Sequence, residues 1–501
     1  MPQTSPTFAG RLTVSPSLQA QPPTTAKSTI VNARINGVLR LEGRQPSGPW
    51  QTWSMLRVAV IGSGPAGVYA AGALGEHGDV VVDVIDRLPC PFGLVRYGVA
   101  PDHPKIKSIS AALKRVLEDP AVRFLGNVEV GTQLTVEDLH RHYDAVLFAS
   151  GSAIDRRLAI PGEDLPGSFS ATEFVAWYGG HPDTPVDRFR LDARSVAVIG
   201  AGNVALDVAR MLAKTADELR RTDLPEHVLR VLEGSRVEDI DLIARRGPVQ
   251  AKFTTKELRE LGELANADVL VDPVELELDE ASRERLAAEP RVRRNFEVLQ
   301  GWAGRPPAGR ARRVHMRFNL RPVEVLGDVH VTGLLLERTR LDQNGNAAGT
   351  GQMCSIDTQM VLRSVGYLGQ SLAGMPFDQR TGVIPNAAGR VLRAGAVVPG
   401  EYVAGWIKRG PTGVIGTNRR DAQETVTALL ADAPELPPAP VRDPEALIRL
   451  LAERSARVVT WQGWCAIEIA EAELGRAHGR ERAKIVDREA LLSAAAAGNP
   501  G

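Results

Sequence analysis

Short apolar runs recur along the chain, and the clearest of them are followed directly by segments with helical patterning. The same run, Val-Ala-Val-Ile, occupies residues 58–61 and again residues 196–199. Apolar runs of this kind also predict strands at 80–86, 122–130, 145–150 and 240–244. Continuously apolar strands that alternate with helices are typical of parallel sheets with both faces covered. The pattern therefore predicts an α/β fold.

The residues between the first strand and its helix predict a dinucleotide-binding turn. They carry glycines at 62, 64 and 67, in the spacing Gly-x-Gly-x-x-Gly. In such a turn Gly62 permits the tight bend, Gly64 lets the backbone approach a pyrophosphate, and Gly67 lets the helix pack against the strand. The N–H groups at the helix N-terminus then receive the phosphates. Asp86 ends the second strand, close to the ~20 residues beyond the motif at which an acid binds a ribose hydroxyl.

A second turn of the same kind predicts a second nucleotide site. Gly200, Gly202 and Ala205 follow the second Val-Ala-Val-Ile run and open another helix. A later strand then ends in Arg245 and Arg246, where the first site has an acid. An acid there accepts a hydrogen bond from the ribose 2′-hydroxyl, whereas arginines accommodate a 2′-phosphate. The second nucleotide is therefore predicted to be NADP(H) rather than NAD(H).

Further stretches indicate how the chain is organised between and after these two turns. Residues 88–110 are rich in proline and glycine and predict a long ordered loop. Residues 401–418 predict a strand and a third glycine-rich turn, followed by an amphipathic helix from about Arg419. Residues 363–367 predict a crossover between domains, and the proline-rich residues 434–443 predict a linker before C-terminal helices.

Composition narrows the class of protein. Apolar residues make up 43% of the 501-residue chain and charged residues 24%, and the formal net charge is zero, so nothing points to nucleic acid. No apolar run approaches the ~18 residues that predict a membrane span. Cys90, Cys354 and Cys465 are too far apart in sequence for zinc spacing, an iron–sulfur cluster or a C-x-x-C dithiol. This cysteine usage is typical of a reducing compartment.

Residues 1–54 lack apolar periodicity and are rich in Ser, Thr, Pro and Gln. Met55 stands directly before the first strand. Three interpretations remain open: a disordered tail, upstream sequence included before a start at Met55, or a cleaved transit peptide. The predicted location is the cytoplasm, or the mitochondrial matrix if residues 1–54 are a transit peptide.

Five stretches together resemble the adrenodoxin reductase-like ferredoxin–NADP⁺ reductases, within the wider glutathione-reductase-type flavoproteins. The resemblance runs from Met55 to about residue 490. The stretches that carry it are 93–107, 202–210, 245–250, 253–260 and 405–418. The family implies two Rossmann-like, three-layer nucleotide-binding domains, with the NADP domain inserted into the FAD domain. The predicted boundaries are 55–154 and 366–501 for the two parts of the FAD domain and 155–365 for the NADP domain.

The resemblance implies FAD in the first turn and NADPH in the second. The positions that match FAD contacts are Gly62, Gly64, Ala66, Gly67, Asp86, Leu94 and Val130, with Trp406, Gly413, Val414 and Ile415 at the ring end. The positions that match NADPH contacts are Gly202, Asn203, Val204, Ala205, Arg245, Arg246, Glu257 and Gly413. The family usually has Glu where this chain has Asp86. Aspartate offers the same carboxylate oxygens on a side chain that is one methylene shorter.

The family also implies the reaction. A hydride passes from NADPH to the flavin, which releases single electrons to an iron–sulfur ferredoxin. His103 and Asp207 match positions that assist proton movement and nicotinamide placement. Three alternatives remain: an electron-input module of glutamate-synthase type, a general NADPH diaphorase, and a flavin-bound sensor without turnover. A thioredoxin or glutathione reductase would need a dithiol, which the chain lacks.

Ferredoxins are usually acidic, so a basic patch on the NADP domain should steer their encounter with the chain. The candidate docking residues are Arg259, Arg291, Arg293 and Arg294, the last three because they cluster in sequence. The family favours a monomer.

Overall fold

The computed structural model describes residues 55–342 and 345–498, and the predictions made for residues 1–54 lie outside them. The strands are β1 Leu56–Ile61, β2 Val80–Asp86, β3 Val122–Gly126, β4 Ala145–Phe148, β5 Ile154–Asp155, β6 Ser168–Ser170, β7 Ser195–Ile199, β8 Asp239–Ile243, β9 Ala267–Val271, β10 Arg312–Arg317, β11 Leu320–Leu326, β12 Gly333–Leu341, β13 Ala347–Asp357, β14 Met360–Arg363, β15 Tyr367–Leu368, β16 Asn386–Ala387, β17 Arg390–Arg393 and β18 Ala396–Val403.

The α-helices lie before residue 312 and after residue 403 of the chain. They are α1 Pro65–Gly75, α2 Leu94–Tyr97, α3 Pro104–Lys107, α4 Ser110–Leu117, α5 Val136–His142, α6 Ala171–Gly179, α7 Asn203–Ala213, α8 Ala216–Leu219, α9 Glu226–Glu233, α10 Thr255–Leu261, α11 Glu280–Ala288, α12 Pro290–Ala303, α13 Trp406–Arg409, α14 Ile415–Asp432, α15 Ala446–Glu453, α16 Trp461–Ala477 and α17 Arg488–Ala496. Among the residues described, no helix combines the length and apolarity that crossing a membrane requires.

Two sheets organise the chain, and the predicted α/β fold is confirmed. The first sheet has seven strands in the order β16-β17-β18-β4-β1-β2-β3. Its strands from β18 to β3 pair in parallel, while β16 and β17 add an antiparallel edge. The second sheet has six strands in the order β6-β14-β7-β8-β10-β9, all parallel. The central strands of both sheets are buried except at an end residue, as their largely apolar sequences require.

The two sheets take different parts of the chain. The first uses strands that lie within residues 56–148 and 386–403, and the second uses strands within residues 168–363. A separate antiparallel sheet, β11-β12-β13, packs its apolar side chains against residues of β7, β8 and β14. The domain boundaries assigned from the sequence remain a prediction.

Several predicted elements have different limits in the structure. Residues 88–110, predicted as a loop, contain the short helices α2 and α3 and the first residue of α4. Gly93 and Pro104, which we interpreted as loop residues, stand instead where α2 and α3 begin. Helix α14 begins at Ile415 rather than near Arg419, because the Val414 N–H donates to the Thr417 hydroxyl (3.2 Å) and fixes an earlier start. Strands β3 and β4 end before residues 130 and 150.

The segment between α16 and α17 contacts α2 and α6, two helices that follow strands of different sheets. The Lys484 ammonium is buried and donates to the carbonyl oxygens of Arg96 (2.7 Å) and Gly179 (2.8 Å). Arg96, in α2, also makes a two-fold ion pair with the fully buried Glu471 of α16. These bonds fix the segment between β2 and α4 against the C-terminal helices.

The free energy of unfolding is expected to fall as the pH is lowered from about 6.5 to about 4, in part because of His181. Burial lowers the pKa of His181 to about 4, and its ring packs 5.0 Å from that of Tyr97. Unfolded histidine has a pKa of about 6.5, so between these values the unfolded state binds more protons and the folded state is disfavoured by up to about 3 kcal/mol. Urea unfolding at several pH values measures the slope.

The variant His181→Asn should flatten that slope, because asparagine carries no titrating group. His77→Asn, at an exposed histidine, is the matched control and should leave it unchanged. An equal slope in the wild type and in His181→Asn would contradict the assignment.

Candidate nucleotide-binding and redox site

The first glycine turn has the geometry of a pyrophosphate cradle. Gly62 has φ 108°, and a Cβ there would lie 2.6 Å from the carbonyl oxygen of Ala149. A Cβ at Gly67 would lie 1.9 Å from the carbonyl oxygen of Gly62, so α1 packs directly on the turn. A Cβ at Gly64 would meet nothing within 4 Å, and no side chain caps the helix that follows. The turn therefore offers open space and N–H donors to an anion.

Asp86 supports this turn from the neighbouring strand. One carboxylate oxygen accepts from the Ser63 N–H (2.7 Å) and the Ser63 hydroxyl (2.6 Å). The other oxygen accepts from the Leu88 N–H (2.9 Å). Asp86 thus holds the backbone of the cradle, a role that the sequence pattern did not indicate. Its predicted contact with a ribose is not tested by these bonds.

Segment 405–414 begins against Ala66, in the first turn of α1. Gly405 has φ 78°, and a Cβ there would lie 2.6 Å from the Cβ of Ala66. The Trp406 indole packs 5.7 Å from the Tyr367 ring, and its N–H is buried without a hydrogen-bond partner among the described residues. Buried donors are nearly always paired in folded proteins, so this N–H fits a flavin acceptor.

The remaining residues predicted for this cofactor surround the same region. Leu94 is 41% exposed and Val414 is 64% exposed. Gly93 approaches the first turn closely, since a Cβ there would lie 3.1 Å from the Cα of Gly64. Val130 is buried and forms a bridge with Leu134. Gly413 has φ 84° and stands directly before Val414, the N-cap of α14.

The second glycine turn repeats the first. A Cβ at Gly200 would lie 2.2 Å from the carbonyl oxygen of Ser364, whereas a Cβ at Gly202 would meet nothing within 4 Å. Asn203 begins α7 and accepts a hydrogen bond from the Thr254 N–H (2.8 Å), which draws α10 towards the turn. Val204 and Ala205 follow in the first turn of α7. One carboxylate oxygen of the buried Glu257 has no partner among the described residues, which leaves an acceptor for a ligand donor.

Arginines collect beyond the end of β8. Arg245 is exposed and Arg246 is half-buried. Burial lowers the pKa of Arg246, and the positive charges of Arg245 and Arg285 lower it further. Two cations near a third raise the local positive potential, which suits a phosphate. Arg285, which sequence reasoning missed, reaches this position because α11 packs on residues 248–250.

A charged cluster joins the segment after β2 to helices α7 and α10. His103 Nε2 is 3.2 Å from the Glu260 carboxylate and 3.7 Å from that of Asp207. Nη2 of the buried Arg210 donates to His103 Nε2 (2.5 Å) and lies 2.8 Å from Asp207 Oδ1. Burial raises the pKa of Asp207, although Arg210 and His103 oppose this. The structure therefore brings His103 and Asp207 together, as predicted, and adds Arg210 and Glu260, which the sequence pattern did not single out.

The four predicted docking arginines divide into two kinds. Arg259 on α10 and Arg293 and Arg294 on α12 are exposed. Arg291 is half-buried and donates to the carbonyl oxygen of Phe253 (3.2 Å), so it is held by its own chain. The two helices pack together, which places the four residues on adjoining elements.

Comparisons with known proteins agree with this geometry. Residues 56–261 match the family described as pyridine nucleotide-disulphide oxidoreductase. The chain is 44% identical over 452 residues to NADPH-ferredoxin reductase FprA of Mycobacterium tuberculosis, covering 87% of this chain and 98% of that one. It is 40% identical to the mitochondrial NADPH:adrenodoxin oxidoreductase of Arabidopsis thaliana, over 88% of this chain and 95% of that one. The solved structure of Mycobacterium tuberculosis FprA in complex with NADPH has a TM-score of 0.83 and 43% identity, covering 88% of this chain and all of the other.

Proposed function

We infer the function of this chain from the family to which it belongs, the NADPH-ferredoxin reductases. The chain is an FAD-dependent oxidoreductase that takes electrons from NADPH and delivers them to a ferredoxin. The observation that carries this within the structure is the pair of uncapped helix N-termini at Gly64 and Gly202, together with the contact between His103 and Asp207 of the second of these helices. When bound, the flavin supplies the conversion of a hydride into single electrons.

We assign the two cofactors to the two turns. The first turn, with Asp86, Leu94 and Val130, would hold FAD, and Trp406 would donate to its ring. The second turn would hold the NADPH pyrophosphate, with Arg245 and Arg246 on the 2′-phosphate and Glu257 accepting from the ribose or the nicotinamide end. The unpaired Trp406 N–H and Glu257 oxygen support this division, since each leaves one buried hydrogen-bonding position for a ligand.

His103 and Asp207 would hold and move a proton beside the reacting rings. His103 is buried and lies within 4 Å of three carboxylates, those of Asp102, Asp207 and Glu260. Its Nε2 accepts a hydrogen bond from Arg210 Nη2 (2.5 Å), and an imidazole is a common proton carrier in catalysis.

The deciding experiment is an anaerobic titration of the flavin absorbance of the purified holoenzyme with NADPH and then with NADH. We expect bleaching at much lower concentrations of NADPH, followed by re-oxidation when an oxidised ferredoxin is added. A protein that is colourless and takes up no FAD would contradict the proposal. Reduction of dyes with no electron transfer to any ferredoxin would favour a general diaphorase, and no turnover at all would favour a sensor.

We propose that an acidic ferredoxin docks on the arginines of α10 and α12. Reversing charge with Arg259→Glu, Arg293→Glu and Arg294→Glu together should slow ferredoxin reduction at low salt by about tenfold or more, since steering raises association rates by 10–10³. The matched control is Arg115→Glu, an exposed arginine on α4. Equal rates and equal salt dependence in the triple variant and the wild type would overturn the docking site.

Oligomeric state and location are also proposals. The family resemblance favours a monomer. Analytical ultracentrifugation of the holoenzyme tests this oligomeric state. A reducing compartment such as the cytoplasm fits the cysteines, since Cys90, Cys354 and Cys465 are all free.

A further inference from the structure

Arg210 lies at the centre of the contacts between the segment after β2 and helix α7. Its Nε and Nη2 donate to the two carboxylate oxygens of Asp102, at 2.7 and 3.0 Å. Both side chains are almost fully buried. Burial alone would raise the pKa of Asp102, but hydrogen bonds from Arg210 and Lys214 hold that pKa well below its usual range. A bidentate pair between an arginine and an ionised carboxylate is strong and geometrically specific.

This ion pair joins the two halves of the site. Asp102 and His103 follow β2 of the first sheet, whereas Arg210 belongs to α7, which follows β7 of the second sheet. The N-terminus of α7 is the predicted binding point of the NADPH pyrophosphate. Arg210 therefore connects His103 to the same rigid helix that would hold the nucleotide.

Arg210 contacts His103 directly, as well as through Asp102. The Nη2 that bonds Asp102 also donates to His103 Nε2 (2.5 Å) and lies 2.8 Å from Asp207 Oδ1. One guanidinium thus fixes the position of the imidazole, of the residue before it and of the second predicted catalytic group. Lysine could supply the charge but not the planar fork that reaches these groups together.

We propose that Arg210 is a positioning residue that holds His103 in register with the nicotinamide bound at the N-terminus of α7. The inference rests on the proposed function. Its effect falls on the hydride-transfer step rather than on cofactor binding, because Arg210 lies beyond the first two turns of α7 and faces the Asp102–His103 segment. A displacement of about 1 Å at a reacting centre costs about a hundredfold in rate.

The test compares Arg210→Met and Arg210→Lys with the wild-type holoenzyme. We expect FAD content and the dissociation constant of NADP⁺ to stay within about twofold, while single-turnover flavin reduction slows by about ten- to a hundredfold. The KM for NADPH should change little while kcat falls, and deuterium at the transferred position of NADPH should slow the variants. Arg230→Met, at an exposed arginine on α9, is the matched control.

Asp102→Asn removes the carboxylate from the same ion pair, and it replaces Arg210→Met in the test if that variant does not fold. The two single variants and the double variant should show similar rates, because residues that act as one unit are not additive. Full recovery of the rate in Arg210→Lys, or unchanged hydride transfer in both Arg210→Met and Asp102→Asn, would overturn the inference. A wild-type enzyme that NADPH does not reduce would instead overturn the proposed function.

Discussion

Replacing Gly64 by valine is expected to give a folded protein that has lost FAD. A Cβ at Gly64 meets no protein atom within 4 Å, so the new side chain starts in open space. The same space is where the backbone of a dinucleotide-binding turn receives the pyrophosphate. We expect FAD affinity to fall by more than about a hundredfold, which corresponds to about 3 kcal/mol. Flavin absorbance after gel filtration, with circular dichroism for the fold, measures the outcome.

Gly67→Ala is the matched control for this variant. A Cβ at Gly67 would lie 1.9 Å from the carbonyl oxygen of Gly62, so even alanine must push α1 away from β1. We expect Gly67→Ala to lower thermal stability in the apoprotein, which Gly64→Val should not do. If Gly64→Val retained its flavin with unchanged affinity, the first turn would not be the FAD cradle.

Removing both arginines after β8 is expected to abolish the preference for NADPH. Hydrogen bonds to charged groups contribute about 1.5–3 kcal/mol each, so Arg245→Ala with Arg246→Ala should lower kcat/KM for NADPH by about a hundredfold or more. The value for NADH should stay nearly constant, because NADH has no 2′-phosphate. Steady-state kinetics with both nucleotides and a saturating ferredoxin or dye measure the ratio.

Arg285→Ala extends this experiment to the third cation of the cluster. Arg285 also donates to Glu289 (2.8 Å), so part of its charge is already compensated and its effect should be smaller than that of the pair. A double variant at 245 and 246 that still discriminates between NADPH and NADH would place the 2′-phosphate elsewhere.

Much of the fold was predictable because its signals are local. The Val-Ala-Val-Ile runs and the glycine spacings give β1, β7, α1 and α7 almost to the residue. The failures lie in segments whose structure depends on distant partners. The segment 88–110 gave no helical pattern, yet α2 forms where Arg96 pairs with Glu471 and accepts a hydrogen bond from Lys484, both more than 300 residues away in sequence.

The residues of the candidate site also differ in how well local sequence patterns predict them. His103 and Asp207 are found from motifs, because they stand within stretches that the family shares. Arg210 and Asp102 also lie in such stretches, but neither local sequence pattern predicts that the two side chains form an ion pair. Arg285 is harder still, since it reaches the arginine pair only through packing of α11, where Gln250 donates to Ser282 (2.8 Å).

The way the two sheets draw on the chain implies an order of assembly during synthesis. Every strand of the second sheet lies within residues 168–363, whereas the first sheet needs strands from residues 386–403 as well. Chains fold by units as they emerge from the ribosome, N-terminal parts first. The half built on the second sheet, to which we assign NADPH, thus has all its strands while the half built on the first sheet still lacks its last strands and α16. FAD uptake is therefore expected to be among the final events in the making of the molecule.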